Sequence, residues 1–389
     1  MASLDDLPLR DDLRGVTPYG APQLHVPIEL NVNENTHPIP EAVAQDILTS
    51  IAAAILRVNR YPDREFTSLR VSLAAYLSHG LDPAQLITAD NIWAANGSNE
   101  VIQHILQAFG GPGRSVLGFP PTYSMHSIIA SSTGTTWVGA ERDGDFELSS
   151  GTVVRAINEV QPDLVFLCSP NNPTGTPLGL DVVEAAYAST SGIVVVDEAY
   201  AEFAPDDRPS ALTLLPGRER LIVSRTMSKA FAFAGARVGY LAADPAVTDA
   251  MRLVRLPYHL SSLTQVAAVA ALDHAPEMLS MVDDIRHQRD RLLRELPKLG
   301  FRAWPSHANF VLFGNVKDPH DTFGKLLAQG IIIRDIGIAG HLRVTAGTER
   351  ETIAFLDALE ALGAADETTA HVARRKPTRQ NPTQQNSAQ

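Results

Sequence analysis

Lys229 lies in a sequence setting that suits covalent chemistry. The stretch from 223 to 240 reads VSRTMSKAFAFAGARVGY, so small and apolar residues surround Lys229 and Arg237 follows eight positions later. A lysine that attacks an aldehyde must first lose its charge, and an apolar surround beside a cation favours the neutral amine. Taken alone, Lys229 is better explained as a surface lysine. The stretch therefore raises the hypothesis of an amine nucleophile without deciding it.

Other polar motifs directly follow apolar runs that are typical of buried strands. Asn172 lies in SPNNPTG after VFLC, and Asp197 and Tyr200 follow GIVVV. NGSNE follows IWAA and opens a predicted helix at Ser98 or Asn99. Ligands bind outside the carboxyl ends of strands in open α/β sheets, so these residues are expected to lie together. Singly, each also fits a turn or a helix cap.

Together these residue types suit pyridoxal 5'-phosphate (PLP). The cofactor withdraws electrons when its pyridine nitrogen is protonated, and a carboxylate such as Asp197 favours that charge. Its phosphate requires hydrogen-bond donors at a helix start and an arginine fork. Ser98, Asn99, Ser228 and Arg237 supply those groups. The sequence therefore predicts PLP as cofactor.

The elements that must position these residues alternate along the chain. From about 64 to 262, short β-branched runs alternate with helical patterns, which is typical of a mostly parallel sheet covered by helices. From about 263, long helical segments are followed by the strand-like pieces ANFVLF, GIIIRDIG and HLRVTAG and by a closing helix near 351–362. This change of pattern predicts a second, smaller domain.

The predicted division of the chain has four parts. Residues 1–45, rich in proline and polar residues, form an extended N-terminal arm. Residues 46–262 form the large PLP-binding domain and residues 263–363 the small C-terminal domain. Residues 364–389 contain a single large aliphatic residue, Val372, and are predicted to be a disordered tail.

Composition favours a cytoplasmic protein that acts on small molecules. The net charge of -12 argues against a general affinity for nucleic acid or anionic membranes. The one cysteine, Cys168, excludes an intramolecular disulfide and is expected to be a small buried hydrophobe. The start, MASLDDLPLRDD, does not resemble a signal peptide, and runs such as GIVVV are too short to span a bilayer.

Several other chemistries lack their motifs. The sequence has no P-loop, no G-x-G-x-x-G after a strand, no G-x-S-x-G and no H-E-x-x-H. The twelve histidines are scattered without ligand-like pairs, so no metal site is predicted.

Seven ordered motifs make the chain resemble the fold-type I aminotransferases: NGSNE, FPPTYSMH, SPNNPTG, VDEAY, RTMSKAFAFAGARVGY, ANFVLF and LRVTAG. LRGVTPYG, LNVNEN and RYPD make it similar in detail to the histidinol-phosphate aminotransferase family within them. The resemblance covers residues 10–362. It implies an α/β fold, with a mostly parallel seven-stranded sheet in the large domain, a smaller α+β domain and an arm that packs on the small domain and on the partner subunit of a homodimer.

The resemblance also implies roles for the cofactor-binding residues. Lys229 would bond to the cofactor and then act as general base and acid, and Asp197 would pair with the pyridinium nitrogen. Asn172 and Tyr200 would hydrogen-bond the ring oxygen, and Tyr123 would stack on the ring. The phosphate would be held by the following residues: Ser98, Asn99, Thr226, Ser228, Arg237 and, from the neighbouring subunit, Tyr61. A surface turn is an alternative explanation for Tyr61.

The implied substrates are anionic. Arg343 matches the arginine of the family that binds an anionic substrate group, and Arg334 lies after the preceding strand-like piece. Two converging arginines suit the phosphate of histidinol phosphate and the carboxylate of glutamate or 2-oxoglutarate, whereas a lone arginine at a strand end is more often a solvated charge. Tyr19, Asn33 and Glu34 are expected to be lid or imidazole contacts, although packing of the arm explains them equally well.

The predicted reaction is ping-pong transamination between histidinol phosphate and 2-oxoglutarate in histidine biosynthesis. The alternatives are an aromatic amino acid aminotransferase, a PLP-dependent decarboxylase of a phosphorylated amino acid, and a binding protein without catalysis. A transcription regulator with an aminotransferase-like domain would need an N-terminal DNA-binding domain, for which the short acidic start leaves no room.

Overall fold

The computed structural model describes residues 3–16, 20 and 22–363. Two predictions, the lid contact of Tyr19 and the disordered tail from 364 to 389, lie outside these residues. Within them, no helix is both long enough and apolar enough to cross a membrane.

Strands and helices alternate through most of the described chain. The strands are β1 (Ile28–Glu29), β2 (Ile92–Ala95), β3 (Ser115–Gly118), β4 (Thr136–Gly139), β5 (Leu164–Cys168), β6 (Ile193–Asp197), β7 (Leu221–Thr226), β8 (Gly239–Ala243), β9 (Arg302–Ala303), β10 (Phe310–Gly314), β11 (Ile331–Ile332) and β12 (Leu342–Thr345). The helices are α1 (Glu41–Ile55), α2 (Thr67–Ser78), α3 (Ser98–Phe109), α4 (Ser124–Ser132), α5 (Ser150–Val160), α6 (Leu180–Ser189), α7 (Pro245–Val254), α8 (Ser262–Asp273), α9 (Ala275–Glu295), α10 (Pro319–Ala328) and α11 (Glu349–Leu362). Short 3-10 turns connect several of these elements.

The largest sheet has seven strands in the order β2-β8-β7-β6-β5-β3-β4. β3 to β7 pair in parallel, and β8 runs antiparallel to both of its neighbours, β2 and β7. The predicted mostly parallel, seven-stranded sheet is confirmed.

The central strands are buried along almost their whole length because helices cover both faces of the sheet. Every residue of β5, LVFLC, is buried, and so is every residue of β7. α3 is amphipathic and turns Val101, Ile102 and Ile105 toward the sheet. Cys168, the last residue of β5, is buried as predicted.

The register brings the carboxyl ends of four strands to one edge of the sheet. Cys168 at the end of β5 pairs with Asp197 at the end of β6, and Asp197 pairs with Ser224 in β7. Thr226 at the end of β7 and Ala95 at the end of β2 both pair with Gly239, at the start of β8. The residues that follow these strands are therefore neighbours, as the strand-end rule predicts.

Two smaller sheets lie outside the seven-stranded sheet. β9, β10 and β12 form an antiparallel sheet in the order β12-β10-β9, and β1 pairs in parallel with β11. The strand-like GIIIRDIG forms only the two-residue β11, after which Arg334 makes a single bridge with Arg343 of β12. The N-terminal segment thus joins elements that lie about 300 residues later in the chain.

Local signals mark where several helices begin. Asp244 caps α7 and Pro245 occupies its first turn, where a missing N–H costs nothing. Ser261 caps α8 by accepting a hydrogen bond from the Thr264 backbone. Thr348 and Glu351 form a reciprocal capping box at the start of α11.

Candidate active site

A cavity of about 400 Å³ opens at the carboxyl edge of the seven-stranded sheet. Its lining includes every predicted site residue of the described chain except Tyr61. These residues are Asn33, Ser98, Asn99, Tyr123, Asn172, Asp197, Tyr200, Thr226, Ser228, Lys229, Arg237, Arg334 and Arg343. Glu34 lines the cavity as well. The motifs from distant parts of the sequence therefore meet at one place.

Lys229 follows β7 and is half-buried in the cavity wall. Its Nζ donates a hydrogen bond of 3.0 Å to the backbone oxygen of Val32, in the N-terminal segment. Burial lowers the pKa of Lys229 from 10.5 to about 8, with further lowering by the charges of Arg343 and Arg237, while Glu34 acts in the opposite direction. The amine is thus more readily neutral than an exposed lysine.

Asp197 ends β6 as a buried carboxylate with two side-chain partners. His126 Nε2 lies 3.0 Å from Asp197 Oδ2, and Ser224 Oγ lies 3.3 Å from Oδ1. Sequence reasoning missed His126 as a site residue. The available signal was its position in FPPTYSMH, three residues after Tyr123, which places both side chains on one face of the helix start. The two rings meet edge to face, with centroids 5.4 Å apart.

Tyr200 is buried at the floor of the cavity, and two amides contact its phenol oxygen. Asn33 Nδ2 donates to it at 2.9 Å and Asn172 Nδ2 at 3.4 Å. Burial raises the pKa of Tyr200 to about 12, against the lowering effects of Arg343 and Asn33. The phenol is therefore protonated at neutral pH.

An anion cradle lies where β2 ends and α3 begins. Gly97 precedes Ser98, the first residue of α3, whose backbone N–H groups have no partner within the helix. Arg237 lies against Gly97 so closely that an added Cβ atom would collide with its guanidinium group. From the end of β7, Thr226 Oγ1 donates to Ser228 Oγ at 3.0 Å. The cradle thus combines a helix N-terminus, two hydroxyls and an arginine.

Arg343 projects from β12 into the cavity and is buried, with 7% of its surface exposed. Its Nη1 donates to Asn172 Oδ1 at 2.6 Å, and its Nη2 donates to the Asn31 backbone oxygen at 2.7 Å. The guanidinium carbon lies 5.0 Å from the centre of the Phe310 ring. Arg334 exchanges two backbone hydrogen bonds of 2.9 Å with Arg343, so both arginines reach the same cavity.

Tyr61 does not line the cavity of its own chain. It is 81% exposed and stacks on Tyr258, with ring centroids 4.4 Å apart. The residues that the structure describes contain no group of three or more His, Cys, Asp or Glu side chains able to hold a metal ion.

Comparison with known proteins is consistent with this geometry. Residues 26–359 match the family described as aminotransferase class I and II. The chain is 62% identical to the histidinol-phosphate aminotransferase of Paenarthrobacter aurescens (strain TC1), over 92% of this chain and 96% of that protein. It is 57% identical to the enzyme of the same name from Frankia casuarinae, over 91% of this chain and 90% of that protein.

Among solved structures, the chain is similar to the histidinol-phosphate aminotransferase of Sinorhizobium meliloti, crystallised with pyridoxal-5'-phosphate. The TM-score is 0.76 and the identity 25%, with 90% of this chain and 92% of that chain covered. The predicted fold-type I aminotransferase fold is confirmed by this similarity and by the topology of the large sheet. The chain belongs to the class I and II aminotransferase family.

Proposed function

We propose that this protein is a PLP-dependent histidinol-phosphate aminotransferase of histidine biosynthesis. It converts histidinol phosphate and 2-oxoglutarate to imidazole-acetol phosphate and glutamate, reversibly and by a ping-pong course. The observation that carries the proposal is one cavity that holds the Lys229 amine, the Asp197 carboxylate and both Arg334 and Arg343. The relatives of that name, which match the chain over nearly its full length, support the substrate.

The residues of the cavity fit PLP. The close approach of the Arg237 guanidinium to Gly97, at the N-terminus of α3, supports a phosphate site, because it places backbone and guanidinium donors side by side. Ser98, Asn99, Thr226 and Ser228 add further donors to the phosphate. When bound, PLP supplies an aldehyde for the amino group and an electron sink.

Lys229 is the group that moves protons. Its lowered pKa of about 8 gives a much larger neutral fraction near neutral pH than an exposed lysine has. With PLP bound, its Nζ would take the proton from the substrate carbon that carries the amino group and would later return a proton. Val32, whose backbone oxygen lies 3.0 Å from Nζ, holds the amine at the cavity wall.

The other cavity residues would orient the bound cofactor and polarise its ring. Asp197 favours a protonated pyridine nitrogen, and His126 holds the carboxylate in place from 3.0 Å. Tyr200 and Asn172 would provide polar contacts to the ring oxygen. Tyr123, whose hydroxyl lies 3.2 Å from Asn99 Oδ1, would stack on the ring face.

Both substrates are anions, so the two half-reactions use the same arginines. Arg343 and Arg334 bind the phosphate of histidinol phosphate in one half-reaction and the distal carboxylate of glutamate in the other. The planar guanidinium fork suits both groups. Asn33 and Glu34 remain predicted imidazole contacts.

We further propose a homodimer that shares its active sites. Several large apolar residues are strongly exposed in two segments, with Leu56 at 83%, Tyr61 at 81%, Leu253 at 86% and Leu256 at 76%. The stacking of Tyr61 on Tyr258 joins these segments into one surface. Contiguous exposed apolar surface is typical of protein interfaces. In the dimer, Tyr61 would reach the phosphate site of the partner.

The division into domains and the location in the cell also remain proposals. The seven-stranded sheet uses residues 92–243 and the three-stranded sheet residues 302–345, which supports a large domain at 46–262, a small domain at 263–363 and an arm at 1–45. A cytoplasmic location is supported by the single buried cysteine, Cys168.

A substrate panel tests the reaction. We expect purified protein with 2-oxoglutarate to turn over histidinol phosphate much faster than phenylalanine, because the arginines prefer a dianion. Amino-group transfer is measured as glutamate formed, and the Lys229→Ala variant, which also loses the visible absorbance of the bound cofactor, serves as the blank. Rapid turnover of phenylalanine with none of histidinol phosphate would instead indicate an aromatic amino acid aminotransferase. Release of carbon dioxide without 2-oxoglutarate would indicate a decarboxylase.

A further inference from the structure

Asn33 has an unusual backbone conformation at a buried position. Its φ is +56°, in the left-handed region, and only 2% of its surface is exposed. Asparagine tolerates this region better than most residues, yet such conformations persist only where the surroundings hold them. Asn309 Nδ2 donates to the Asn33 backbone oxygen at 3.0 Å and helps to hold it. The conformation points the Asn33 side chain between Thr345 and Tyr200.

Thr345 determines the orientation of the Asn33 side-chain amide. The Asn33 backbone N–H donates to Thr345 Oγ1 at 3.1 Å. The hydroxyl hydrogen of Thr345 is then directed to Asn33 Oδ1, at 3.2 Å. Because Oδ1 is used as the acceptor, the NH₂ group of Asn33 faces Tyr200.

The phenol oxygen of Tyr200 therefore accepts hydrogen bonds from protein amides. Asn33 Nδ2 donates at 2.9 Å and Asn172 Nδ2 at 3.4 Å. The orientation of the Asn172 amide is fixed too, because its Oδ1 accepts from Arg343 Nη1, and a guanidinium group can only donate. With two donors directed at its oxygen, Tyr200 keeps its own hydrogen for an acceptor in the cavity.

We propose that Asn33 is a positioning residue, which makes Tyr200 an obligate hydrogen-bond donor into the cavity. The inference rests on the proposed function, since the acceptor in the cavity would be the ring oxygen of bound PLP. A phenol that donates to this oxygen stabilises its negative charge and so lowers the pKa of the lysine-bound cofactor. Asn33 acts on that pKa through Tyr200, without contact with the reacting atoms.

The Asn33→Asp variant tests the proposal with almost no change of shape. A carboxylate has no hydrogen to donate, so Tyr200 would turn its own hydrogen toward residue 33 and away from the cavity. We expect the pKa read from a pH titration of the visible cofactor absorbance to rise by about one to two units, the size of one hydrogen bond to a charged group. The other charges near Tyr200, those of Arg343 and Asp197, stay in place.

Two comparisons separate this mechanism from simpler ones. Asn35→Asp adds the same charge two residues later in the chain, where the Asn35 side chain donates to the backbone oxygen of Ala230 and not to Tyr200. We therefore expect the pKa of the cofactor to shift much less in this variant. In a Tyr200→Phe background, the Asn33→Asp substitution is expected to cause no comparable rise, because the double-mutant cycle removes the group through which Asn33 acts.

A third variant keeps the proposal testable if Asn33→Asp does not fold. Thr345→Val is close in shape and removes the hydroxyl that orients the Asn33 amide, so we expect a smaller upward shift that also depends on Tyr200. Equal shifts in Asn33→Asp and Asn35→Asp, or shifts that persist in Tyr200→Phe, would overturn the proposal. These titrations use no amino donor, so an error in the assigned substrate would leave them unchanged. Wild-type protein without a visible absorbance band would instead contradict the assignment of PLP as the cofactor.

Discussion

At the scale of single residues, the acidity of Lys229 depends on which charges surround it. Burial is the largest cause of its lowered pKa, and Arg343 is the next largest. Glu34 opposes the lowering, so the amine lies between competing charges. Since the folded pKa is about 8, the amine is mostly neutral above that pH, whereas an ordinary lysine becomes so only above 10.5. Arg343 thus has a second effect besides its proposed role in substrate binding.

The rate at which apoprotein captures PLP is expected to follow this pKa. We predict that the rate rises with pH and levels off above a midpoint near 8. In Arg343→Gln the midpoint should move upward, because a cation that disfavours the charged amine is lost. The measurement is the growth of visible absorbance after PLP is mixed with apoprotein at a series of pH values.

Arg334→Gln is the matched control, since it removes the same charge from the same cavity. Arg334 is not among the causes of the lowered pKa of Lys229, so its removal should leave the midpoint near 8. Equal shifts in both variants would contradict a specific effect of Arg343.

Sequence alone predicted which residues gather at the cavity but not all of their partners. Asp197, Tyr200 and Asn172 follow apolar strands, and strand ends in a parallel sheet meet at one edge. The contact between His126 and Asp197 joins residues 71 positions apart in sequence. Neither composition nor periodicity encodes a pair at that separation, because the pairing depends on how α4 is placed on the sheet.

At the scale of elements, the junction between β2 and α3 depends on a backbone that only glycine adopts readily. Gly97 has φ 87° and ψ 164°, a region essentially closed to other residues. This turn lets α3 begin at Ser98 directly beside Gly239, the first residue of β8. The same glycine gives the Arg237 guanidinium its place in the cradle.

The Gly97→Ala substitution is expected to weaken PLP binding by about tenfold, the size of one lost charge-assisted hydrogen bond, because the new methyl group displaces the Arg237 guanidinium from the cradle. The backbone strain at this positive φ should lower the unfolding temperature instead. The dissociation constant of PLP measures the effect.

Gly113→Ala provides the comparison for this substitution. Gly113 also has a positive φ, of 81°, but an added Cβ would meet nothing within 4 Å. The Gly113→Ala substitution should lower the unfolding temperature while leaving PLP affinity unchanged. Unchanged affinity in Gly97→Ala would show that the cradle is not a phosphate site.

Long buried strands were predictable, but short ones were not. The runs that became β5 and β6 are apolar up to their last residues, and β7 begins with three apolar residues, LIV, so the type of each strand follows from composition. β1 and β11 contain two residues each, and they form only because each provides the other with hydrogen bonds. Strands of two residues are too short to show the alternation of apolar and polar side chains from which a strand is predicted.

At the scale of the whole molecule, the proposed dimer explains apolar side chains that an isolated chain would leave in water. Leu256→Glu is predicted to give a monomer, because a charge buried in an apolar interface is costly. The mass in solution, measured by light scattering or sedimentation, reports the change. We also expect PLP affinity to fall, since Tyr61 would no longer reach the phosphate site of a partner.

Leu86→Glu is the control for the dimer prediction. Leu86 is 56% exposed and lies outside the two segments around Tyr61 and Tyr258. This variant should keep the mass and the cofactor affinity of the wild type. A wild-type protein that is already monomeric, yet fully active, would contradict the shared site.

The pairing of the N-terminal segment with the last strands has a consequence for how the protein is made. Leu30 bonds Ile332 and Thr345 through its backbone, and the Lys229 amine contacts Val32. On the ribosome, residues 28–33 emerge some three hundred residues before β11 and β12. The part of the cavity wall that residues 28–33 form therefore cannot assemble until most of the chain has been translated. Capture of the cofactor is thus expected to be a late event, which follows synthesis of residue 345.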